Sequence, residues 1–313
     1  MTRAENLRID DSLLLLGRLD GRLQGSTCAD IFLARSRLEG AAALAGLAGV
    51  PIRVRDLQDW IAGRCPPPRA SEGLNDPISV AAIFHLALSS DEDHKDPVAR
   101  STLNALRQVL DDRTEAETYG NSDLAHFGPL WRQVRALADA PFPSGDLHAV
   151  ASRVLELAAL TEPASSSSWG VVSLDGRALD LPPRGRDRIW LVAVAMPRML
   201  YRAGFTKQVI PSLTLLPRYL PPSPAELART LEQAIGSTSQ SGLRELDFIE
   251  REATRIRLDL RVTRRSKAPL LARLQLSYPG LQPKAVARLL NVTPQGARKL
   301  LASAPHASRP VLI

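Results

Sequence analysis

The 313-residue sequence contains few cysteines, histidines and aromatic residues, and each shortage excludes a class of protein. The two cysteines, Cys28 and Cys65, give neither a zinc-binding spacing nor a disulfide framework, so we expect reduced thiols in a cytoplasmic protein. The five histidines are scattered; His94 sits in an acidic run that we interpret as a solvated loop, and His85 in an apolar helix where we expect a core residue bonded to a backbone group. The sequence therefore predicts no metal site and no cofactor.

Long hydrophobic runs are also missing. The longest, Ile189 to Met196, ends at Pro197 and is too short to span a bilayer. The leucines at 13–16 are too few for a signal sequence and follow two aspartates. We expect a cytoplasmic protein without membrane contact.

Local catalytic motifs are absent as well. The sequence has no Gly-x-Ser-x-Gly elbow, no phosphate-binding loop and no dinucleotide-binding fingerprint. We predict no catalytic residues and no enzyme activity. Since an active site need not leave a local motif, a helical enzyme whose basic terminus is incidental stays as an alternative.

Helical periodicity dominates what is present, and it predicts a mainly all-α fold with one small β-hairpin near 170–181 around Asp175-Gly176. Asp187 is predicted to cap a helix that ends near Tyr201, and Ser223-Pro224 to open another. A separate long helix from about Ser241 to Arg261 has an apolar seam: Leu246, Ile249, Ala253, Ile256 and Leu260. Packing inside the monomer and a dimer interface both fit this seam.

Composition shifts predict four regions. Residues 1–162 form a helical domain for dimerisation or sensing, and residues 163–187 a linker with the hairpin. Residues 188–262 form a helical connector with the long amphipathic helix, and residues 263–313 a helix-turn-helix domain.

Residues 283–301 have the spacing of a helix-turn-helix, a unit that lays its second helix in the DNA major groove. Val286, Ala287 and Leu290 share one face of the first helix. Asn291 occupies the turn position where glycine is usual, and asparagine tolerates a left-handed backbone. Thr293 is a good N-cap, with proline following at the first helical position.

Charge supports DNA as the partner. Residues 251–313 contain thirteen basic and two acidic residues, a net charge of +11, whereas the whole chain is +7. Since Tyr278 is the only aromatic residue in this segment, duplex DNA is favoured over a single-stranded stacking platform. The predicted DNA-binding residues are Thr293, Gln295, Arg298, Lys299, Lys284, Arg264, Arg265, Lys267 and Arg273.

Several of these segments resemble a known family. Arg264-Arg265-Ser266-Lys267, Leu270-Leu271 and Val292-Thr293-Pro294-Gln295 are similar to the C-terminal signature of alphaproteobacterial helix-turn-helix proteins, often encoded on rhizobial plasmids, which carry an N-terminal domain of unknown function. Met199-Leu200 and Gly242-Leu243 resemble the same family, and the likeness is specific from about 190 to 304. The family continues past the recognition helix into a Gly/Arg-rich segment, whereas this chain has only 306–313, which implies a shortened wing.

The family's N-terminal region loosely resembles the N-terminal domain of Fic proteins, which transfer nucleotidyl groups to hydroxyls. Their catalytic loop needs His-x-Phe-x-x-Gly-Asn-Gly-Arg, and here His126-Phe127-Gly128 lacks the remainder. The resemblance therefore implies a shared helical shell without the chemistry.

Together these features predict a sequence-specific DNA-binding protein, a transcriptional regulator, that acts as a homodimer with an unidentified small-molecule or protein effector. A plasmid-maintenance or protein-interaction factor anchored on DNA is the other alternative. The operator, the effector and the sign of regulation are not encoded in any recognisable motif.

Overall fold

The computed structural model describes residues 3–66, 76–89, 96–111, 128–161, 169–172, 178–181, 188–256 and 266–303. Within these ranges the fold is all-α, with one two-stranded hairpin. In chain order the elements are α1 Arg3–Gly25, α2 Ala29–Leu47, α3 Val54–Ile61, α4 Pro77–Ala87, α5 Pro97–Asp111, α6 Gly128–Asp139, α7 Leu147–Thr161, β1 Trp169–Val172, β2 Ala178–Leu181, α8 Ile189–Arg202, α9 Pro224–Arg255, α10 Ala268–Ser277, α11 Pro283–Leu290 and α12 Pro294–Ser303.

Helix α9 is a single helix of 32 residues, which corrects the prediction of two separate helices in this region. It begins as predicted, because the hydroxyl oxygen of Ser223 accepts a hydrogen bond from the Glu226 amide at 3.2 Å. Gly236 and Gly242 do not interrupt it, although glycine disfavours a helix interior. Both face α1, where a Cβ on Gly236 would lie 2.5 Å from Oγ of Ser12, so close packing of the two helices outweighs the propensity cost.

The apolar seam of α9 is buried inside the monomer. Leu246, Ile249, Ala253 and Ile256 are all at most 6% exposed, and α9 packs along α1 and α7. Residue 260 and the predicted helix end at residue 261 lie outside the described residues. The described part of the seam is therefore core and is not available as a dimer interface.

The start of helix α8 differs from the predicted start. It begins at Ile189, and the residue in the capping position is Arg188, whose side chain makes no capping hydrogen bond. Asp187, the predicted cap, lies outside the described residues. The helix continues through Pro197 to Arg202 and is buried against α2, α6 and α7.

The small hairpin predicted near 170–181 is an antiparallel pair in which Trp169 lies opposite Leu181 and Val172 opposite Ala178. The domain boundaries predicted after residues 162, 187 and 262 fall in or at the edge of segments outside the described residues. One continuous hydrophobic cluster extends from Leu16 in α1 to Ala297 in α12. No helix among the described residues is both long and apolar enough to cross a membrane.

Candidate nucleic-acid interface

Two short helices, α11 and α12, are joined by residues 291–293, and local interactions define this turn. Asn291 adopts the left-handed conformation, with φ 49° and ψ 59°. The next amide, of Val292, donates to the carbonyl of Ala287 at 3.0 Å, and the Thr293 hydroxyl oxygen accepts from the Gly296 amide at 3.1 Å. The predicted roles of Asn291 as the left-handed turn residue and of Thr293 as the N-cap of α12 are confirmed.

The apolar face of the pair is asymmetric between the two helices. In α11, Val286, Leu289 and Leu290 are buried and Ala287 is half-buried. In α12, Ala297 is the only residue that is fully buried, while Leu300 and Leu301 are half-buried. Since α12 packs chiefly on α11, it is the most peripheral of the described helices near the C-terminus.

The outward face of α12 carries the predicted base-reading side chains. Gln295, Arg298 and Lys299 are exposed, and none of them forms an ion pair or hydrogen bond with another described side chain. Thr293 is exposed too, but its hydroxyl oxygen is engaged as the cap. Lys267 and Lys284 are exposed on the segments that precede α10 and begin α11.

Arg273, another predicted contact, already has partners inside the protein. Its Nη1 lies 2.6 Å from Oδ1 of Asp30 and donates to the carbonyl of Thr27 at 2.9 Å. Its side chain is 30% exposed. The arginine therefore ties α10 to the start of α2, and Arg264 and Arg265 lie outside the described residues.

Three further contacts fix the C-terminal helices on the body. The Tyr278 hydroxyl lies 2.9 Å from the hydroxyl of Thr102, and Nε2 of Gln58 donates to the Ser277 carbonyl at 3.3 Å. The Gln282 amide donates to the carbonyl of Ala62 at 2.9 Å. The body thus sets the orientation of α10 and α11, and α12 inherits it through its packing on α11.

A polar cluster lies behind this junction and contains the buried residues Arg37, His85, Thr102 and Tyr278 and the half-buried Asp96. His85 is 1% exposed, and neither of its ring nitrogens has a hydrogen-bond partner among the described residues, which corrects the prediction of a backbone partner. Burial, aided by the charge of Arg37, lowers the pKa of His85 to about 3. Burial raises the pKa of Tyr278 to about 12.

Sequence reasoning missed the residues that hold the C-terminal helices in place. Asp30, Gln58 and Thr102 are each separated by more than 170 positions from the groups they contact, and none stands in a motif. Only a pairing signal between distant positions would have indicated them.

Comparison of the chain with protein-family models, curated proteins and solved structures gave no match. The resemblance to alphaproteobacterial helix-turn-helix proteins and to the Fic N-terminal domain therefore stays a prediction from the residues quoted above.

Proposed function

We propose that the protein binds double-stranded DNA through α12 and regulates transcription. The observation that carries the proposal is the outward face of α12, where Gln295, Arg298 and Lys299 are exposed and have no partner among the described side chains. An exposed basic helix at the rim of a fold, preceded by a helix that supports it, is the arrangement that enters a major groove.

The side chains suit this partner chemically. An arginine can donate two parallel hydrogen bonds to O6 and N7 of guanine, and a glutamine can pair with N6 and N7 of adenine. Lys299 is suited to a phosphate oxygen, as are the exposed Lys267 and Lys284. Arg298 and Gln295 therefore specify sequence in this proposal, and the lysines supply affinity.

A single helix-turn-helix touches few base pairs, so specific binding calls for two copies. We propose a homodimer that reads two half-sites about 34–36 Å apart, one turn of the duplex. The described part of the α9 seam is buried in the monomer, so another surface must form the dimer. Light scattering at micromolar protein, with and without DNA, tests this; a monomer under both conditions contradicts it.

Salt dependence gives the first test of DNA binding. A fluorescently labelled duplex of mixed sequence is titrated with the protein at several salt concentrations and followed by anisotropy. If about six phosphates are contacted, the logarithm of the binding constant falls with the logarithm of salt at a slope of roughly −5. A flat response excludes the proposal.

The regulatory part of the proposal needs a specific site. A gel shift with the promoter DNA of the protein's own operon, in excess competitor duplex, should give a discrete complex. DNA recovered after crosslinking the native protein in its host identifies the site independently. Binding that shows no sequence preference in both experiments leaves an architectural role and excludes a sequence-specific regulator.

A further inference from the structure

The turn that follows α3 lies directly against the turn between α10 and α11. The carbonyl of Ala62 accepts from the Gln282 amide at 2.9 Å. Gly63, at φ +76°, fits against the start of α11, since a Cβ there would lie 3.1 Å from the Cβ of Ala285. A residue from the first quarter of the chain is therefore built into the edge of the C-terminal helices.

Arg64 covers the α10–α11 turn from outside. Its guanidinium lies across Gly280, where a Cβ would meet Nη1 at 2.9 Å, and Gly280 has a φ of +80° that favours glycine. The Arg64 side chain keeps 23% of its surface exposed. The arginine is thus held over this turn by packing, with part of its side chain facing solvent.

Two more cations lie near Arg64. Arg64 forms an ion pair with Asp59, and the same carboxylate lies 4.0 Å from Nε of Arg55, whose side chain is 70% exposed. Lys284 is exposed and precedes Ala285, the residue that touches Gly63. The group of Arg55, Arg64, Lys284 and Asp59 has a net charge of +2 and is here called the junction patch.

In three-helix DNA-binding folds the turn between the first and second helices approaches the DNA backbone while the third helix is in the groove. In this protein α10, α11 and α12 follow one another in that order along the chain, and the junction patch covers the turn between α10 and α11. We propose that the junction patch contacts the phosphates flanking the groove that α12 enters, so that the N-terminal body supplies part of the DNA-binding surface. This inference rests on the proposed function.

The proposal predicts that removing the negative charge of Asp59 raises the affinity for DNA. In the free protein its carboxylate occupies the position next to Arg64 that a phosphate oxygen would take, and its charge opposes an approaching phosphate. Neutralising Asp59 should therefore strengthen DNA binding. If the Arg64–Asp59 ion pair were only structural, breaking it would leave DNA affinity unchanged or lower it.

The test compares three full-length variants by salt-dependent anisotropy on random and cognate duplex. Arg64→Gln removes the charge and keeps a shorter polar side chain, and it should lower affinity on both duplexes by roughly eightfold at 0.1 M salt, with a salt slope smaller by about 0.9. Asp59→Asn should bind more tightly than wild type. Arg229→Gln is the matched control, because this exposed arginine lies near the start of α9, outside both the junction patch and helices α10–α12, and should change neither quantity.

Each outcome has one meaning. If wild type binds DNA and Arg64→Gln keeps its affinity and slope, the junction patch is not part of the interface, while the proposed function stands. If wild type does not bind, the proposed function itself fails. If Arg64→Gln proves unfolded by circular dichroism, Asp59→Asn decides: tighter binding supports the patch, and unchanged or weaker binding overturns it.

Discussion

Helices α10 and α12 belong to the same basic segment but use their arginines differently. Arg273 of α10 is tied to Asp30 and to the Thr27 carbonyl, whereas Arg298 of α12 is exposed and has no partner among the described side chains. Both arginines are predicted DNA contacts on the basis of sequence. Net charge identifies a basic segment, but the fold decides which of its cations are available to a ligand.

The packing of the two helices explains the difference. Helix α10 lies between α2, α5 and α9, and Leu271 and Leu274 are fully buried. Helix α12 rests mainly on α11 through Ala297. The first helix therefore anchors the unit to the body, and the second is free to present its outer face. The predictions below test this division, from the largest expected effect to the smallest.

A leucine-to-alanine pair tests the division by stability. Leu274→Ala should lower the free energy of unfolding by roughly 2–5 kcal/mol, because it opens a cavity at a fully buried site. Leu300→Ala should lower it by about 1 kcal/mol, less than a buried leucine would, since Leu300 is only half-buried. Chemical denaturation monitored by circular dichroism measures both. Equal losses would mean that α12 is as firmly embedded as α10.

The buried polar cluster behind α10 predicts a pH dependence. His85 has a pKa lowered to about 3, so below the ordinary pKa of 6.5 the unfolded chain takes up a proton that the folded protein does not. The contribution of His85 to stability is complete above pH 6.5 and is lost as the pH falls towards 3. At pH 5 the loss should be about 2 kcal/mol relative to pH 8.

The matched variant is His85→Leu, which fills a similar space without a titratable group. Its stability should decline less than that of wild type between pH 8 and pH 5, by the same amount of about 2 kcal/mol. Carboxylates titrate equally in both proteins and cancel in the difference. Parallel curves for the two proteins would show that His85 takes up its proton equally in the folded and unfolded states, so that folding does not lower its pKa.

Arg298→Ala tests specificity on α12. The variant should lose roughly 1–3 kcal/mol of binding free energy on the cognate duplex and much less on random duplex, because a bidentate base contact discriminates and a phosphate contact does not. Its stability should stay within about 0.5 kcal/mol of wild type, since the side chain is exposed. Equal losses on both duplexes would make Arg298 a phosphate contact.

Many of the helices and turns could be predicted from the sequence because they are determined by local patterns of residues. The buried leucines of α1 at 16, 19 and 23, the start of α5 at Pro97 and the α11–α12 turn with Asn291 all depend on residues within one or two helical turns of each other. The continuity of α9 could not be predicted in the same way. Gly236 and Gly242 are unfavourable in an isolated helix, and only the close approach of Ser12 and Leu19 on α1 accounts for them.

In the candidate site too, the features set by local sequence could be predicted and those set by tertiary contacts could not. The exposed positions of Gln295, Arg298 and Lys299 follow from helical periodicity, as predicted. The pairing of Arg273 with Asp30, and the placement of Arg64 over Gly280, depend on tertiary contacts between residues more than 200 positions apart. Periodicity cannot indicate such contacts.

Arg273→Ala completes the comparison by testing whether this arginine acts only inside the protein. Removing Arg273 breaks two hydrogen bonds, one of them to a carboxylate, at a site that is partly open to solvent, so we expect a loss of about 1–2 kcal/mol in unfolding free energy. If the arginine acts only inside the protein, the salt slope for DNA should stay at the wild-type value. Asp30→Asn should reproduce only part of the stability loss, because the hydrogen bond to the Thr27 carbonyl remains and asparagine still offers an acceptor. A slope reduced by about 0.9 in Arg273→Ala alone would instead assign Arg273 to a phosphate contact, which would require its pair with Asp30 to open on binding.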